Sequence, residues 1–248
     1  MIEVLHHGPV RELRLSRLPV NALNGALLAA LESQIAAAVN ETASAPRALV
    51  LSGAPGMFSA GLDIREVTGG EAAVASLITA FSRLQLCIVN SPLPIVAAIT
   101  GHSPAGGAVI AVLCDYRIMA AGDYRIGLNE VQVGLYPGET IYRVLERLVG
   151  TQRAAALLPR GAMLQADEAL AAGLVDEVVE LQSVIPRAIA LATELASLPP
   201  KTYSRTRDMV RSDLRKLFES PPESLESLLR SGWVTDETRE RMAKFIAR

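Results

Sequence analysis

The chain has 248 residues, of which 50% are hydrophobic and 20% are charged, and its formal net charge is −2 at pH 7. This length fits one large domain or a domain with a small appendage, and the hydrophobic fraction is large enough to fill a sizeable core. A nucleic-acid-binding protein would normally show a basic excess or a basic stripe. The charge therefore argues against a nucleic-acid partner.

Cysteine and histidine give no sign of a metal site or a disulfide framework. The two cysteines, Cys87 and Cys114, each lie inside an apolar stretch, which is typical of buried free thiols. The three histidines form no ligand pattern. We therefore expect no metal ion.

The N-terminus and the apolar runs indicate no targeting or membrane segment. Ile2–Leu5 follows Met1 directly and has the pattern of a strand, without a charged region followed by an apolar one. The longest apolar run, Ala105–Cys114, falls short of the roughly 18 residues typical of a membrane span. We expect a cytoplasmic protein with no membrane partner.

The first elements along the chain are a hairpin and a helix. Val10–Leu15 alternates apolar and polar residues and is expected to pair with Ile2–His7. Asn24 has the side chain of an N-cap, and the helix that it begins is expected to end near Asn40.

Buried strands alternate with helices in the middle of the chain. A helix is expected from about Glu71 to Val89, and three apolar stretches predict strands at Arg47–Ser52, Pro94–Ile99 and Asp115–Ala120. Such alternation is typical of crossover units on a partly parallel sheet. The fold class is therefore α/β.

The C-terminal quarter has helical patterns only. These patterns predict helices at about residues 183–197, 203–218, 222–231 and 236–247, with proline pairs as breaks. We therefore expect a core domain over residues 1–182 and a helical module over residues 183–248.

Two small-residue turns carry the chemical interpretation. Phe58–Ile64 and Pro104–Gly107 each place a glycine-containing turn before an expected helix, where backbone N–H groups are free to meet an anion. Taken alone, Gly106-Gly107 is better explained by tight packing of a helix on a strand. Together the two turns predict an oxyanion hole, in which two N–H groups stabilise one developing negative charge.

These turns resemble the paired oxyanion-hole motifs of the crotonase (enoyl-CoA hydratase/isomerase) superfamily. Within it, Phe58–Asp63, Cys114–Ile118 and Gly127–Glu130 resemble the mitochondrial-type Δ3,Δ2-enoyl-CoA isomerases. The likeness runs from about Leu15 to Asp176 and is strongest from Phe58 to Leu135. It implies a crotonase-like spiral of ββα turns with a C-terminal helical region that assembles trimers, sometimes doubled to hexamers.

The resemblance also implies roles for particular residues. Leu62 and Gly106 match the positions whose N–H groups form the oxyanion hole, and Glu130 matches the catalytic glutamate. A carboxylate on an apolar loop has a raised pKa when it is buried, which suits an acid/base, although a surface glutamate is the plainer interpretation of the sequence alone. The expected substrate contacts are Ala60, Gly61, Asp63, Ile64 and Asn129.

Two carboxylate positions separate isomerases from hydratases. Hydratases of the family carry a second glutamate where this chain has Val109, and a single carboxylate is sufficient to move a double bond. Glu139 is interpreted first as a first-turn helix residue, and alternatively as a second acid/base in the pocket. Asp63 is favoured as a helix cap and His102 as a structural histidine.

The expected activity is conversion of 3-enoyl-CoA to 2-trans-enoyl-CoA by one glutamate, with coenzyme A entering as part of the substrate and no other cofactor. The alternatives are an enoyl-CoA hydratase or another acyl-CoA lyase or hydrolase, and a non-catalytic acyl-CoA-binding protein. Leu84, Leu86 and Tyr136 are candidates for an acyl pocket. Candidates for contacts with the CoA phosphates are Arg17, Arg65, Arg239, Arg241 and Lys244.

Overall fold

A computed structural model describes residues 1–41, 46–230 and 232–246. Within these residues the strands are β1 (Ile2–His7), β2 (Val10–Leu15), β3 (Ala48–Ser52), β4 (Gly56–Met57), β5 (Ile95–Ile99), β6 (Gly101–Pro104), β7 (Tyr116–Ala120), β8 (Arg125–Gly127), β9 (Leu164–Gln165) and β10 (Glu177–Val179). The helices are α1 (Gly25–Asn40), α2 (Ile64–Val67), α3 (Glu71–Asn90), α4 (Gly106–Leu113), α5 (Glu139–Val149), α6 (Thr151–Leu157), α7 (Ala166–Ala172), α8 (Val184–Ser197), α9 (Pro200–Val210), α10 (Ser212–Glu219), α11 (Leu225–Arg230) and α12 (Asp236–Ile246).

The strands form two sheets. The larger sheet has the order β1-β2-β3-β5-β7-β10, with an antiparallel β1–β2 hairpin and parallel pairing from β2 onward. The smaller sheet has the order β4-β6-β8-β9 and is parallel except for its β8–β9 pair. The predicted hairpin and the partly parallel α/β sheet are confirmed.

The central strands of the larger sheet are covered on both faces, which is why β3 and β5 read as continuous apolar runs. Leu49 and Leu51 of β3 belong to the main hydrophobic cluster, whereas Val50 belongs to a second cluster on the opposite face. The second cluster is covered by α8, whose Ala188 and Ala192 lie one turn apart and are fully buried. Small side chains there let the helix approach the sheet closely.

Helix α3 belongs to the core. By length and composition alone it could cross a membrane, a property that the sequence analysis did not register. Its buried face packs against α1, and α1 begins as expected, with the Asn24 side chain accepting a hydrogen bond from the backbone N–H of Leu27 at 2.9 Å. Core helices of globular proteins share this apolar character.

The C-terminal helices occur where they are expected, with shifted boundaries and one division. The helix expected over residues 203–218 begins earlier, with Pro200 in its first turn, because proline lacks the N–H that has no partner there. It is also divided at Arg211 into α9 and α10. The expected helices 222–231 and 236–247 appear as α11 and α12, and positions 231 and 247 lie outside the described residues. The domain boundary at residue 183 stays a prediction, and α8 packs directly on the sheet.

A buried ion cluster joins α9 and α10 to the core. The Asp115 carboxylate accepts hydrogen bonds from Arg207 Nε at 2.8 Å and Nη2 at 2.9 Å, and from the backbone N–H of Ile95 at 2.8 Å. Arg211 Nη1 lies 3.3 Å from the same carboxylate. Both arginines are buried and the Asp115 side chain is 9% exposed, so removing the carboxylate leaves two guanidinium groups without their counter-ion.

Asp115→Ala is expected to lower the free energy of unfolding by about 3 kcal/mol or more, since an uncompensated buried charge is costly. The matched control is Asp208→Ala, because Asp208 pairs with Arg215 at 2.6 Å but its side chain is 46% exposed. We expect less than about 1 kcal/mol for that control. Urea denaturation measures both values, and equal losses in the two variants would contradict a structural role for the cluster.

Candidate active site

The first turn connects β4 to α2 and is shaped by Gly61. Its φ of 84° lies in the left-handed region that favours glycine. The Ser59 hydroxyl donates to the carbonyl of Asn21 at 2.8 Å and accepts from the N–H of Gly61 at 3.2 Å. The turn is therefore fixed by its own residues and by the segment before α1.

The N–H of Leu62 is left free by the pairing on either side of it. Leu23 donates to the carbonyl of Gly61 at 2.8 Å and accepts from the N–H of Asp63 at 3.0 Å. Because neighbouring backbone groups point in opposite directions, the Leu62 N–H faces away from Leu23. No residue in the described part of the chain accepts a hydrogen bond from it.

The second turn presents the N-terminus of α4. Ala105, the residue before the helix, has φ 46° and ψ −122°, a conformation that an alanine rarely adopts. Its own N–H donates to the carbonyl of Gly127 at 2.9 Å, and its carbonyl accepts from the N–H of Val109. The N–H of Gly106 is then among the first-turn donors that have no acceptor within the helix.

The two turns touch each other through their glycines. A Cβ atom added to Gly61 would lie 3.1 Å from the nitrogen of Gly106, and one added to Gly106 would lie 3.3 Å from the nitrogen of Leu62. A Cβ atom at Gly107 would lie only 2.6 Å from the carbonyl oxygen of Ser59. Side chains at these positions would separate the turns, so the glycines bring two free N–H groups to one place.

Glu130 lies in the same cavity wall as these turns. It begins a 3-10 turn, Glu130–Val133, and is 8% exposed. Burial raises its pKa to about 7, and a hydrogen bond from its own backbone opposes this shift. Its Oε2 has no hydrogen-bond partner among the described residues. A carboxyl group in this state can both accept and return a proton near neutral pH.

The cavity has a volume of about 790 Å³. It is enclosed by the two turns, the segment 129–141, one face of α3 and parts of the C-terminal helices. Of the residues expected to form the oxyanion hole, act as the base or contact substrate, six line it: Ala60, Leu62, Ile64, Gly106, Asn129 and Glu130. Val109 also faces the cavity, as does Glu139. The Oδ1 of Asn129 is buried without a partner in the described structure.

Gly61 and Asp63 do not line the cavity, although both were expected to contact substrate. Gly61 lies behind the turn, against Gly106. The Asp63 carboxylate caps α2 by accepting from the N–H of Arg65 at 3.0 Å and pairs with Arg17 at 2.7 Å. The cap is confirmed, and these residues position the turn.

Glu139 and His102 have surface and structural partners. Glu139 is the first residue of α5, its side chain is 41% exposed, and it pairs with Arg143 at 3.0 Å. Glu139 therefore lies in the first turn of α5 and also lines the cavity. The His102 ring accepts from the N–H of Arg125 at 3.2 Å and packs edge-on against Tyr124, which confirms the structural interpretation.

Only one of the three expected acyl-pocket residues lines the cavity. Leu86 lines the cavity, whereas Leu84 is wholly buried in the core and Tyr136 is 52% exposed outside the cavity wall. Leu84 and Leu86 lie on different faces of α3 because two residues along a helix turn the side chain by about 200°. The two expectations for Leu84 and Tyr136 are therefore wrong.

Most of the arginines expected to contact the CoA phosphates already have partners within the protein. Arg17 is engaged with Asp63, Arg239 donates to the carbonyl of Thr68 at 2.7 Å, and Arg241 pairs with Glu237. Arg65 is exposed, and no partner of its guanidinium occurs in the described part of the chain. Of these arginines, Arg65 keeps its charge available to a ligand.

Sequence analysis missed several residues that build the site. Asn21 is fully buried with φ 50°, and its amide donates to the carbonyl of Phe58 at 3.0 Å, which supports the first turn. Trp233 donates to the carbonyl of Tyr136 at 2.6 Å and lines the cavity. The position of Asn21 within a turn was a signal that the sequence offered. Trp233 had no local signal, because its role depends on contact between distant segments.

Comparison with known proteins agrees with this geometry. A family model described as enoyl-CoA hydratase/isomerase matches residues 7–247. Human mitochondrial enoyl-CoA delta isomerase 1 is 35% identical over 195 residues, which are 78% of this chain and 64% of the human protein. A probable enoyl-CoA hydratase of Rhizobium meliloti (strain 1021) is 30% identical over 229 residues, 92% of this chain and 88% of that protein.

The fold matches a solved structure over the whole chain. The crystal structure of human mitochondrial delta3-delta2-enoyl-CoA isomerase has a TM-score of 0.91 and 30% identity, and covers 100% of this chain and 97% of that one. The protein belongs to the enoyl-CoA hydratase/isomerase, or crotonase, family and has the crotonase fold. The resemblance inferred from the sequence motifs is confirmed, including its nearness to the mitochondrial isomerases.

Glu130→Gln is expected to stabilise the protein in a pH-dependent way. Because the pKa of Glu130 is about 7 when folded against 4.5 as its ordinary value, the wild type loses stability as the pH rises through this window. At about pH 8 the variant should be more stable by roughly 3 kcal/mol, and below about pH 4.5 the two should converge. Thermal and urea unfolding across pH measure this difference.

The control for that experiment is Glu139→Gln, which removes an exposed, surface-paired carboxylate. Its free energy of unfolding should stay within about 1 kcal/mol of the wild type. A Glu130→Gln difference that does not change with pH would show that Glu130 is not buried as a protonatable group.

Proposed function

We propose that the protein is an enoyl-CoA isomerase that converts a 3-enoyl-CoA to the conjugated 2-trans-enoyl-CoA. The observation that carries this proposal is the buried Glu130 carboxylate, whose Oε2 has no partner among the described residues. It lies in the same cavity as the N–H groups of Leu62 and Gly106, for which the described structure shows no acceptor. Moving a double bond needs one group that removes a proton and returns it elsewhere, whereas adding water needs a second group to activate the water.

The proposed mechanism has two proton transfers. The thioester oxygen of the substrate accepts hydrogen bonds from the N–H groups of Leu62 and Gly106. Glu130, as carboxylate, takes a proton from the α-carbon, and the electron pair moves into a dienolate whose oxygen is stabilised by the two N–H groups. Glu130 then gives the proton to the γ-carbon, which forms the α,β double bond and restores the carboxylate. The thioester acidifies the proton, so we propose that no metal or redox cofactor takes part.

Val109 supports the isomerase over a hydratase. It faces the cavity from α4 at the position where the hydratases of the family carry their second glutamate, and its side chain is apolar. Its neighbours near the turns are also apolar. This wall therefore offers no group that could activate a water molecule.

The second candidate is an enoyl-CoA hydratase that uses Glu139 as the other acid/base. Its support is that Glu139 lines the same cavity and that a relative 30% identical is described as a probable enoyl-CoA hydratase. A non-catalytic acyl-CoA-binding role would leave both enoyl-CoA isomers unchanged.

We further propose a homotrimer or a dimer of trimers, as the resemblance implies, and a cytoplasmic location. Gel filtration with light scattering tests the assembly.

Glu130→Gln is expected to lower kcat for isomerisation at least 1,000-fold, because the amide cannot accept the proton. The matched variant Glu139→Gln should keep isomerisation within about threefold, because that carboxylate is paired with Arg143 at the surface. Product analysis by chromatography and mass, with 3-enoyl-CoA and 2-trans-enoyl-CoA as separate substrates, measures both. Water addition to the second substrate that is lost in Glu139→Gln would establish the hydratase instead.

The pH dependence of kcat/KM should report the ionisation of Glu130 in the free enzyme. Because the base must be a carboxylate, kcat/KM should rise with pH and level off above an apparent pKa of about 7. Below that pKa the rate should fall about tenfold per pH unit. A profile that stays flat down to about pH 5 would mean that another group, or an exposed carboxylate, is the base.

A further inference from the structure

The wall that α3 contributes to the cavity contains a buried amide with no partner. Gln85 is 8% exposed and lines the cavity, yet its side chain forms no hydrogen bond with any residue that the structure describes. Both amide atoms are reached from the open cavity, where a primary amide offers two N–H donors and one carbonyl acceptor to a ligand. Such a group in a ligand cavity indicates a polar atom of the ligand.

A second polar group stands one turn away on the same helix face. Ser82 precedes Gln85 by three residues, also lines the cavity, and its hydroxyl has no partner in the described part of the chain. Residues three apart on a helix are neighbours. The two side chains form a polar pair, Ser82 and Gln85, with hydrogen-bond donors and acceptors of both kinds.

Apolar side chains flank this polar pair, and Thr79 and Arg83 of α3 also line the cavity. Ile78 and Phe81 flank it on α3, and Phe218, Leu225 and Trp233 of the C-terminal segment line the same cavity. Helices α10 and α11 pack directly against α3 and complete this wall. An unsubstituted acyl chain would satisfy the apolar surface and leave the polar pair without partners.

The polar pair is separate from the chemical groups of the site. Glu130 forms no hydrogen bond with Gln85, and its Oε2 is unpaired in the described structure. Arg83, between Ser82 and Gln85 in sequence, is turned toward Glu32 at 3.0 Å. The pair is therefore neither a support for the base nor part of a surface ion pair.

We infer that the acyl chain that this site selects carries a hydroxyl group beyond its double bond, held by Gln85 and Ser82. A hydroxyl both donates and accepts, so it can satisfy the carbonyl and an N–H of the amide together, whereas a keto oxygen would leave the carbonyl unpaired. This inference rests on the proposed function in taking an acyl-CoA thioester as the ligand.

The test uses 3-enoyl-CoAs of one chain length, either unsubstituted or with a hydroxyl at successive carbons beyond the double bond. For at least one position the wild type should show a kcat/KM about tenfold above that for the unsubstituted chain, the effect of one added neutral hydrogen bond. Gln85→Leu should abolish this preference, and Ser82→Ala should reduce it. No preference at any position in an active wild type would overturn the inference.

The matched control is Thr79→Val, on the same cavity wall. The Thr79 hydroxyl already donates to the carbonyl of Ala75 at 2.7 Å, so its removal should leave the hydroxyl preference unchanged. If Gln85→Leu does not fold, Gln85→Met retains an unbranched side chain and makes the same test. Equal weakening of every acyl-CoA by the Gln85 variant would mean that the amide binds the coenzyme A arm, which also overturns the inference.

Binding separates this inference from the proposed function. Calorimetry with saturated hydroxyacyl-CoA and its unsubstituted counterpart measures the preference without any turnover. Tighter binding of the hydroxylated ligand that depends on Gln85, in a protein that does not isomerise 3-enoyl-CoA, would sustain the inference and refute the isomerase. Isomerisation of 3-enoyl-CoA without a hydroxyl preference in binding or turnover would support the isomerase and overturn the inference.

Discussion

The close contact between two glycine-containing turns is the constraint on which the site depends. Gly61 and Gly106 lie so near each other that a single Cβ atom would meet the facing backbone, and Gly107 has even less room beside Ser59. This contact sets two N–H groups, from Leu62 and Gly106, at one end of the cavity. Each strand that precedes a turn is in the smaller sheet, so the spacing of β4 and β6 fixes the spacing of the donors.

Strain and burial near the turns are concentrated in a few residues. Ala105 has a positive φ, and Glu130 holds a carboxyl group away from water with one oxygen that has no partner among the described residues. Such features cost stability, and the surrounding packing maintains them. The C-terminal helices contribute to that packing, because Trp233 and Thr238 donate hydrogen bonds to the carbonyls of Tyr136 and Gly134, a few residues after Glu130. The segment that completes the cavity therefore also holds the loop that follows its base.

The sequence predicted the parts of the molecule that local pattern determines. The apolar run of β3 and the Asn24 cap of α1 have local signatures, and both are confirmed. The family was predicted because the two turns are short, specific motifs. Gln85 was missed because a glutamine on an apolar helix gives no local sign of its neighbours. Tyr136 was misplaced because its segment is held by the distant Trp233, which donates to its carbonyl. Contacts of high sequence separation set both, and no single-sequence pattern records them.

The central claim is that one buried carboxylate carries the proton from the α-carbon to the γ-carbon. The direct measurement is a single turnover of 3-enoyl-CoA deuterated at the α-carbon, in ordinary water, with the product analysed by mass and NMR. Because Glu130 is 8% exposed, the account predicts that part of the deuterium appears at the γ-carbon of the 2-enoyl product. Product with no deuterium at the γ-carbon would contradict transfer by a single buried base.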